Sequence, residues 1–497
     1  MKKPKEKSFL KNSQPCVEAL RHAVRVPPGF REPLKALYDE VAPVAMRLGL
    51  HVFLVGGAVR DLVEGRRFSG EWDVVVFGGG DDGAKTLAGE VSSARGGSEP
   101  VCFPRFGTCL VPGTQFRIEF AQAHLRSTLT SLSPDPLTAD ALSRDFTLNA
   151  LYIELMVSET SELMVSETYE SETVNVLDPG CRGLIDLKEG RLRTPIPARR
   201  TFEDDPLRIF RAARLRACNS YRIDPTIGRA ARSVSVRIPD IAPERILDEM
   251  NRILLGEHPS LGLEMLGRWN AFGAVMPEVQ TLVGFRQNNP FHFPDLFRHT
   301  LRVVDRCPDD LSLRWAAFLH DCGKPGSRVP SETGDSYHGH ESVGAELAQQ
   351  MLKRLKAGRK LTREVVELIR LHMVHYQDEW SDRAVRRFIH RAGGYLDRLL
   401  ALVEADSASL RLRKVKLQDL GELRRRVEVV MRSMPKPRSP LTGQQIMELL
   451  DIEPGLSVGR AKNALIEAVV EGDIPPEEDA ARQFLLEWWQ GACRENV

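Results

Sequence analysis

Residues 54–78 read LVGGAVRDLVEGRRFSGEWDVVVFG, opening on two glycines and an arginine and closing on two acids one position apart, Glu71 and Asp73. In a strand, side chains two apart share a face, so these carboxylates point the same way while Trp72 and Val74 take the other. Carboxylates aimed together repel unless a cation is shared. The same alternation in FRIEF sets Glu119 opposite Phe116, Ile118 and Phe120, as a candidate third carboxylate from a neighbouring strand. Three oxygen ligands on a sheet suit Mg²⁺, which takes carboxylates together with substrate phosphates. Gly56 and Gly57 lie between a strand and a helix expected to begin near Val59. Without Cβ atoms their N–H groups can approach a phosphate, and Arg60 can clamp it. An ordinary glycine turn is the plainer alternative for the glycines taken alone. An ion between strand acids and turn-bound phosphates reconciles the two halves of the stretch.

The elements that must hold these residues follow from periodicity. From about residue 31 to 155, helical and strand periods alternate: a helix over EPLKALYDEVAPVAMRLG, then the runs HVFLVGG, WDVVVFG and FRIEFA. Residues 1–30 read as a basic, poorly ordered arm. Residues 155–173 carry LMVSET twice and read as a polar surface insert. Beyond about 185 strand signals fade and amphipathic helices dominate, broken by NNPFHFPD, MPKPRSP and DIEPGLS. Lys plus Arg total 69 against 68 for Asp plus Glu, so no global field draws the chain to nucleic acid or membrane, and any nucleic-acid surface must come from local patches. The eight cysteines are dispersed and include no CxxC, which argues against a zinc knuckle or a disulfide framework and fits a reducing cytoplasm. No stretch of about 18 apolar residues suggests a membrane span, and the N-terminus has no apolar signal region.

GGAVRD followed by an acid-x-acid strand resembles the nucleotidyltransferase superfamily branch of tRNA CCA-adding enzymes and bacterial poly(A) polymerases. The resemblance continues through RFGT (105–108), SRDFTLNALYIEL (143–155), DPGCRGLIDLKEGRLRT (178–194), FEDDPLRIFRAARL (202–215) and PLTGQQIMELLDIEPGLSVGRA near the C-terminus. It implies an α+β nucleotidyltransferase head, a mixed sheet with helices, over residues 31–195. An all-α neck (196–290), an HD domain (291–410) and a helical tail (411–497) follow. It further implies that the 3′-hydroxyl of an RNA attacks the α-phosphate of an NTP, with Mg²⁺ held by Glu71, Asp73 and Glu119. Arg144 and Asp145 match family positions near the ribose and triphosphate, and the nucleotide contacts extend to Asn149 and Arg211. The sequence departs from the family where Glu71 stands for the usual Asp and where Ser143 precedes Arg144. Asp145 also reads as the cap of a helix over FTLNALYIEL.

C and A both present an amine donor beside a ring-nitrogen acceptor, whereas U and G present the reverse. A carboxylate beside a guanidinium therefore reads C and A, and Asp205 and Arg208, three apart on an expected helix, fit that template. The plainer alternative makes Asp205 an N-cap with Pro206 at N1. In the helical half, His299, the doublet His320–Asp321 and Asp406 resemble the HD metal-dependent phosphohydrolase superfamily, implying a second divalent metal there. His338, His340, His372 and His375 are further candidate ligands or phosphate contacts. The basic helical tail suits an RNA phosphate backbone, with a solvated helix face as the plainer reading.

The expected function is template-independent addition of C and A to the tRNA 3′ end from CTP and ATP, in the cytoplasm, with neither DNA nor membrane as partner. Poly(A) polymerisation and partial addition, CC-only or A-only, stay open, because residues 121–143 are short and lack the DxR-type segment of full CCA-adding relatives. An RNA phosphohydrolase run by the HD domain, with an inactive head, is the alternative of another class.

Overall fold

The computed structural model describes residues 21–97, 99–103, 107–123, 133, 135–155, 173–180, 182–288, 295–332, 334–374, 376, 380–410, 413–433 and 438–494. Most of the N-terminal arm, most of the insert, Arg105 and Phe106 of RFGT, part of 121–143, and His375 lie outside them. The chain divides into two compact units, Met1–Ile241 and Ala242–Val497. That division falls inside the stretch 196–290 expected to form one neck.

The first unit is built on an eight-stranded sheet. Its strands, in chain order, are β1 (Arg21–Arg25), β2 (His51–Val55), β3 (Glu71–Phe77), β4 (Val101–Phe103), β5 (Thr108–Val111), β6 (Arg117–Gln122), β7 (Tyr152–Glu154) and β8 (Thr173–Leu177). Across the sheet they run β1-β8-β7-β2-β3-β6-β5-β4. Among the described residues of this sheet, β3 and β6 alone pair in parallel and the other ladders are antiparallel. Central strands covered on both faces become continuous apolar runs, and β3 follows this: Val74, Val75, Val76 and Phe77 are buried, whereas Glu71 and Asp73 at its start are half-buried. The face carrying Val75 and Phe77 packs with Phe53, Val55, Leu137, Ala141 and Tyr152. On the other face Trp72 meets Phe30 of the helix Pro28–Leu48, with ring centroids 6.0 Å apart. Pro28 opens that helix, and Gly49 ends it at φ +65, a left-handed turn that glycine adopts without steric cost.

Three local expectations are corrected. Within the arm expected over 1–30, Arg21–Arg25 form β1, which pairs with β8 at the sheet edge. FTLNALYIEL is not a helix: a 3₁₀ turn, Thr147–Asn149, leads directly into β7, which bonds to β2 and β8. Cys102 and Cys109, directly opposed across β4 and β5, are disulfide-bonded, where the dispersed cysteines argued against a disulfide framework.

The described part of the second unit is helical except for isolated bridges. The tail helices pack Leu441, Ile446, Leu450, Ala461, Leu465, Ala481 and Leu485 into a core of their own. No helix among the described residues is long and apolar enough to cross a membrane.

Candidate active site and metal centre

Because β2 runs antiparallel to β3, the end of β2 meets the start of β3, and Val55 pairs with Asp73. The next residue, Gly56, has φ +82 and ψ −143, and a Cβ there would stand 2.8 Å from Asp73 Oδ2. The glycine turn is thus pressed against a strand carboxylate, and the helix Gly57–Val63 begins two residues earlier than expected. On the other side of β3, Asp73 pairs with Glu119 and Glu71 with Arg117. Glu119 is exposed on β6, yet partial desolvation of its carboxyl, then the neighbouring Asp73, pushes the group above its ordinary range, while Thr108, Arg117 and Arg211 pull it down. Crowding of this kind between two register-paired acids is what a divalent cation relieves, so Asp73 and Glu119 fit a metal site. The Glu71 carboxylate is held by Arg117, across a pair whose side chains are 40% and 50% exposed. An ion reaching Glu71 must compete with that guanidinium.

A second group lies alongside. Arg211 Nε is 2.9 Å from Asp145 Oδ2, and Asp145 Oδ1 accepts from Asn149 Nδ2 at 3.1 Å and from the Phe146 N–H at 2.8 Å. Asn149 Oδ1 in turn accepts from Arg60 Nη1 at 3.0 Å. This chain joins the helix behind the glycine turn to the helix Arg208–Asn219. Burial raises the Asp145 carboxyl, but Arg211 and Arg208 outweigh it and hold the group below the usual range.

The structure corrects the geometry expected of Asp205. It lies in extended conformation (φ −146, ψ 103) after the helix Ala198–Asp204, and the next helix starts only at Arg208, so the two residues do not share a helix face. Asp205 Oδ1 accepts from the Leu207 N–H at 3.0 Å. Arg208 donates to the Ser143 carbonyl at 2.8 Å and the Thr201 carbonyl at 3.3 Å, and burial lowers its pKa. Arg60 turns to Asn149 and to Asp61 at 2.7 Å. Arg144 pairs with Asp140 at 2.8 Å and lies over the Tyr152 ring. Sequence reasoning missed Arg117 and Thr108; strand alternation in FRIEF places Arg117 on the Glu119 face and was a usable signal.

In the second unit, helix ends converge on buried histidines. His299 comes from the helix Leu296–Arg306, His320 and Asp321 follow the helix Leu311–Leu319, and Asp406 sits on Leu396–Ala408. His299 Nε2 lies 3.0 Å from Asp406 Oδ1 and 3.6 Å from Asp321 Oδ2; His320 Nε2 lies 3.2 Å from Asp321 Oδ2. All four expected residues therefore meet, and buried imidazoles converging on carboxylates are the donor set of a divalent metal. Lys324 Nζ also reaches Asp321 Oδ2, at 2.8 Å. Burial opposes ionisation of Asp321 and Asp406, yet His320 and Lys324 hold Asp321 well below the carboxylate range, and His299 does the same for Asp406. His340 and His372 are also buried here, and burial lowers both pKa values, that of His372 to about 3. His338 is exposed and lines, with His340, Arg370, Trp380 and Arg391, a 710 Å³ cavity. The tail arginines Arg424, Arg425 and Arg426 pair with Glu404, Glu422 and Asp382, so these charges follow the solvated-face reading.

A mixed sheet that brings a glycine turn and register-paired acids together, followed by a helical unit with a His/Asp cluster, defines a nucleotidyltransferase joined to an HD domain. Residues 52–193 match the Poly A polymerase head domain, 220–282 the probable RNA and SrmB-binding site of polymerase A, and 296–419 the HD domain. The chain is 31% identical over 459 residues to the A-adding tRNA nucleotidyltransferase of Deinococcus radiodurans, covering 88% of this chain and 95% of that protein. It is 32% identical over 453 residues to the CC-adding tRNA nucleotidyltransferase of Thermus thermophilus, covering 88% and 94%. Its fold is similar to that of the Bacillus stearothermophilus CCA-adding enzyme solved in complex with CTP, with a TM-score of 0.60 at 21% identity over 93% of this chain and 99% of that one. The chain belongs to the tRNA nucleotidyltransferase family, transferases of the EC 2.7.7 type. Nucleotidyltransferase and HD families use divalent metals.

Proposed function

We propose that this protein adds C and A to the 3′ end of tRNA, from CTP and ATP, by Mg²⁺-dependent nucleotidyl transfer in the cytoplasm. The observation that supports it most is the register that sets Asp73 between the Gly56 turn and Glu119. In the reaction the terminal 3′-oxygen of the tRNA bonds to the NTP α-phosphorus, the bond to the pyrophosphate oxygen breaks, and the hydroxyl proton is lost. Asp73, Glu119 and Glu71 would hold Mg²⁺, which when bound would lower the pKa of the attacking hydroxyl and offset charge on the attacking and leaving oxygens. Gly56, Gly57 and Arg60 face the triphosphate, and Arg144, Asp145, Asn149 and Arg211 seat the nucleotide. Base selection falls to Asp205 and Arg208, which do not share a helix face but lie close enough for the carboxylate to act on the guanidinium. Transfers of this type rest on alignment and charge stabilisation, so fixed residues suffice.

Partial addition is the second reading, favoured by the names of the A-adding and CC-adding relatives and by the short stretch 121–143. We also infer that His299, His320, Asp321 and Asp406 bind a divalent ion for phosphate-ester hydrolysis. Incubation with tRNA lacking its CCA end, Mg²⁺ and each NTP separately tests these readings. Incorporation of C and then A supports full addition; C alone, or A alone on tRNA ending in CC, supports the partial enzyme. Long A tails support a poly(A) polymerase. Phosphate release without incorporation overturns the transferase reading in favour of the hydrolase.

A further inference from the structure

Cys102 and Cys109 close the hairpin that carries RFGT, at a sequence separation of 7. They are register partners in the ladder of β4 with β5, and Cys109 is in turn the partner of Phe120 on β6. Partners across a ladder share a sheet face. Both sulfurs therefore lie on the side of the buried Phe120, and Thr108 lies on the opposite side with Glu119. There the Thr108 hydroxyl donates to the Glu119 carboxylate. Thr108 is the end residue of both its ladders, opposite Phe103 on β4 and Ala121 on β6. The strand β4 has three residues and a single neighbour, so its own ladder is short. The cross-link one residue from Thr108 is what fixes this end of the hairpin.

The two sulfurs differ in access. Cys102 is half-buried on the outermost strand, between Val101 and Phe103 at 52% and 47% exposure, whereas Cys109 is buried. Cys218, Cys307 and Cys322 are free thiols, so among the described residues the chain holds one disulfide and keeps three cysteines unlinked. One reachable disulfide beside free thiols has the pattern of a redox-responsive bond in a thiol-reducing compartment, where structural frameworks are rare. We propose that Cys102–Cys109 is a thiol–disulfide exchange site for a dithiol reductant, and that its state sets how firmly Thr108 holds Glu119 for Mg²⁺. This rests on the cytoplasmic, Mg²⁺-dependent transfer proposed above. One thiolate of the dithiol attacks Cys102 Sγ, the S–S bond breaks, and Cys109 leaves as a thiolate that takes a proton. The second thiolate of the dithiol then displaces Cys102. Two electrons and two protons pass to the cysteines, and the reductant ends as a disulfide.

The test uses the full-length protein, oxidised with glutathione disulfide or reduced with dithiothreitol that is then removed under argon. Iodoacetamide labelling with peptide mass analysis is expected to modify Cys102 and Cys109 together, and in the reduced form alone. Hydrogen exchange without metal or nucleotide is expected to quicken about 10- to 100-fold across β4 and β5 on reduction, the scale for releasing a short cross-linked loop. With tRNA and CTP, half-saturating Mg²⁺ is expected to rise about tenfold on reduction, as for the loss of a hydrogen-bonding partner behind a metal ligand. Thr108→Val is expected to show the higher requirement in both states. In Cys109→Ser, glutathione disulfide is expected to cap Cys102; in Cys102→Ser it is expected to leave Cys109 bare. Free thiols at both positions in glutathione disulfide, or hydrogen exchange unchanged by reduction, overturns the exchange site. Faster exchange with an unchanged Mg²⁺ requirement overturns the link through Thr108 to Glu119. Capping of Cys109 in place of Cys102 overturns the order of attack. Loss of transfer in both states refutes the transferase reading, while labelling and hydrogen exchange still decide the cysteine pair. Should a variant fail to fold, the comparison of the two wild-type forms decides alone.

Discussion

Replacing Gly56 by alanine tests the placement of Asp73 more sharply than removing the acid. At φ +82 and ψ −143 an L-residue is strained, at a cost on the order of 1–3 kcal/mol. The new Cβ would also stand 2.8 Å from Asp73 Oδ2, where ordinary contact begins at 3.4 Å, so the carboxylate must move by the difference, about 0.6 Å. Displacing a metal-holding group on that scale costs up to roughly 10²-fold in rate. Gly65→Ala supplies the control: φ is +69, but nothing lies within 4 Å, so only backbone strain of about 1–2 kcal/mol is added. Both variants are expected to lower the melting temperature by several degrees, at roughly 2–4 °C per kcal/mol for a unit of this size. Only Gly56→Ala is expected to lose single-turnover transfer of CMP to tRNA, with the Mg²⁺ requirement raised. A Gly56→Ala enzyme that is destabilised yet transfers CMP at the wild-type rate refutes the role given to Asp73.

Three further outcomes follow from the same geometry. Glu119 has a raised pKa, through partial desolvation of the carboxyl and the neighbouring Asp73 although the residue as a whole is exposed, so its ionised form weakens the fold only slightly above that pKa, and the penalty vanishes below the unfolded value of 4.5. Glu119→Gln should therefore melt higher than wild type at pH 7, match it below pH 4.5, and lose nucleotidyl transfer; calorimetry across pH checks the sign. Arg117→Ala frees Glu71 from an exposed ion pair worth about 0.2–1 kcal/mol, so half-saturating Mg²⁺ should fall, by at most about fivefold, in a metal titration of the transfer rate. Asp205→Ala removes one base-reading partner, worth roughly 1–3 kcal/mol, and competition between CTP and UTP should show discrimination falling about fivefold to 150-fold.

What could be read from the chain was set by how local each cause is. The shared face of Glu71, Asp73 and Glu119 follows from strand alternation, and the structure keeps it. The pairing of Glu71 with Arg117 depends on the register between β3 and β6, which no short window contains. Asp205 was misplaced although a local rule applied: the residue before a proline avoids helical backbone, and Asp205 before Pro206 is extended. FTLNALYIEL has helix-like spacing, but hydrogen bonds from β2 and β8 take Tyr152–Glu154 into the sheet, a tertiary preference overriding a local one. The Asp145–Arg211 pair joins residues far apart in sequence, and so does the meeting of His340 and His372 on Asp321. Their types were legible as candidates; their partners were not.

The edge ladder between β1 and β8 has a consequence for biosynthesis. Arg21–Arg25 cannot find its partner until Thr173–Leu177 has emerged from the ribosome, more than 140 residues later, and the polar insert before β8 lengthens the wait. At about 5–20 residues per second, the nascent sheet exposes the unmet edge of β7 for seconds. The head is therefore born as an open sheet whose β8 and β1 zip on last, and a chaperone bound to the nascent chain should release it only after residue 177 clears the exit tunnel.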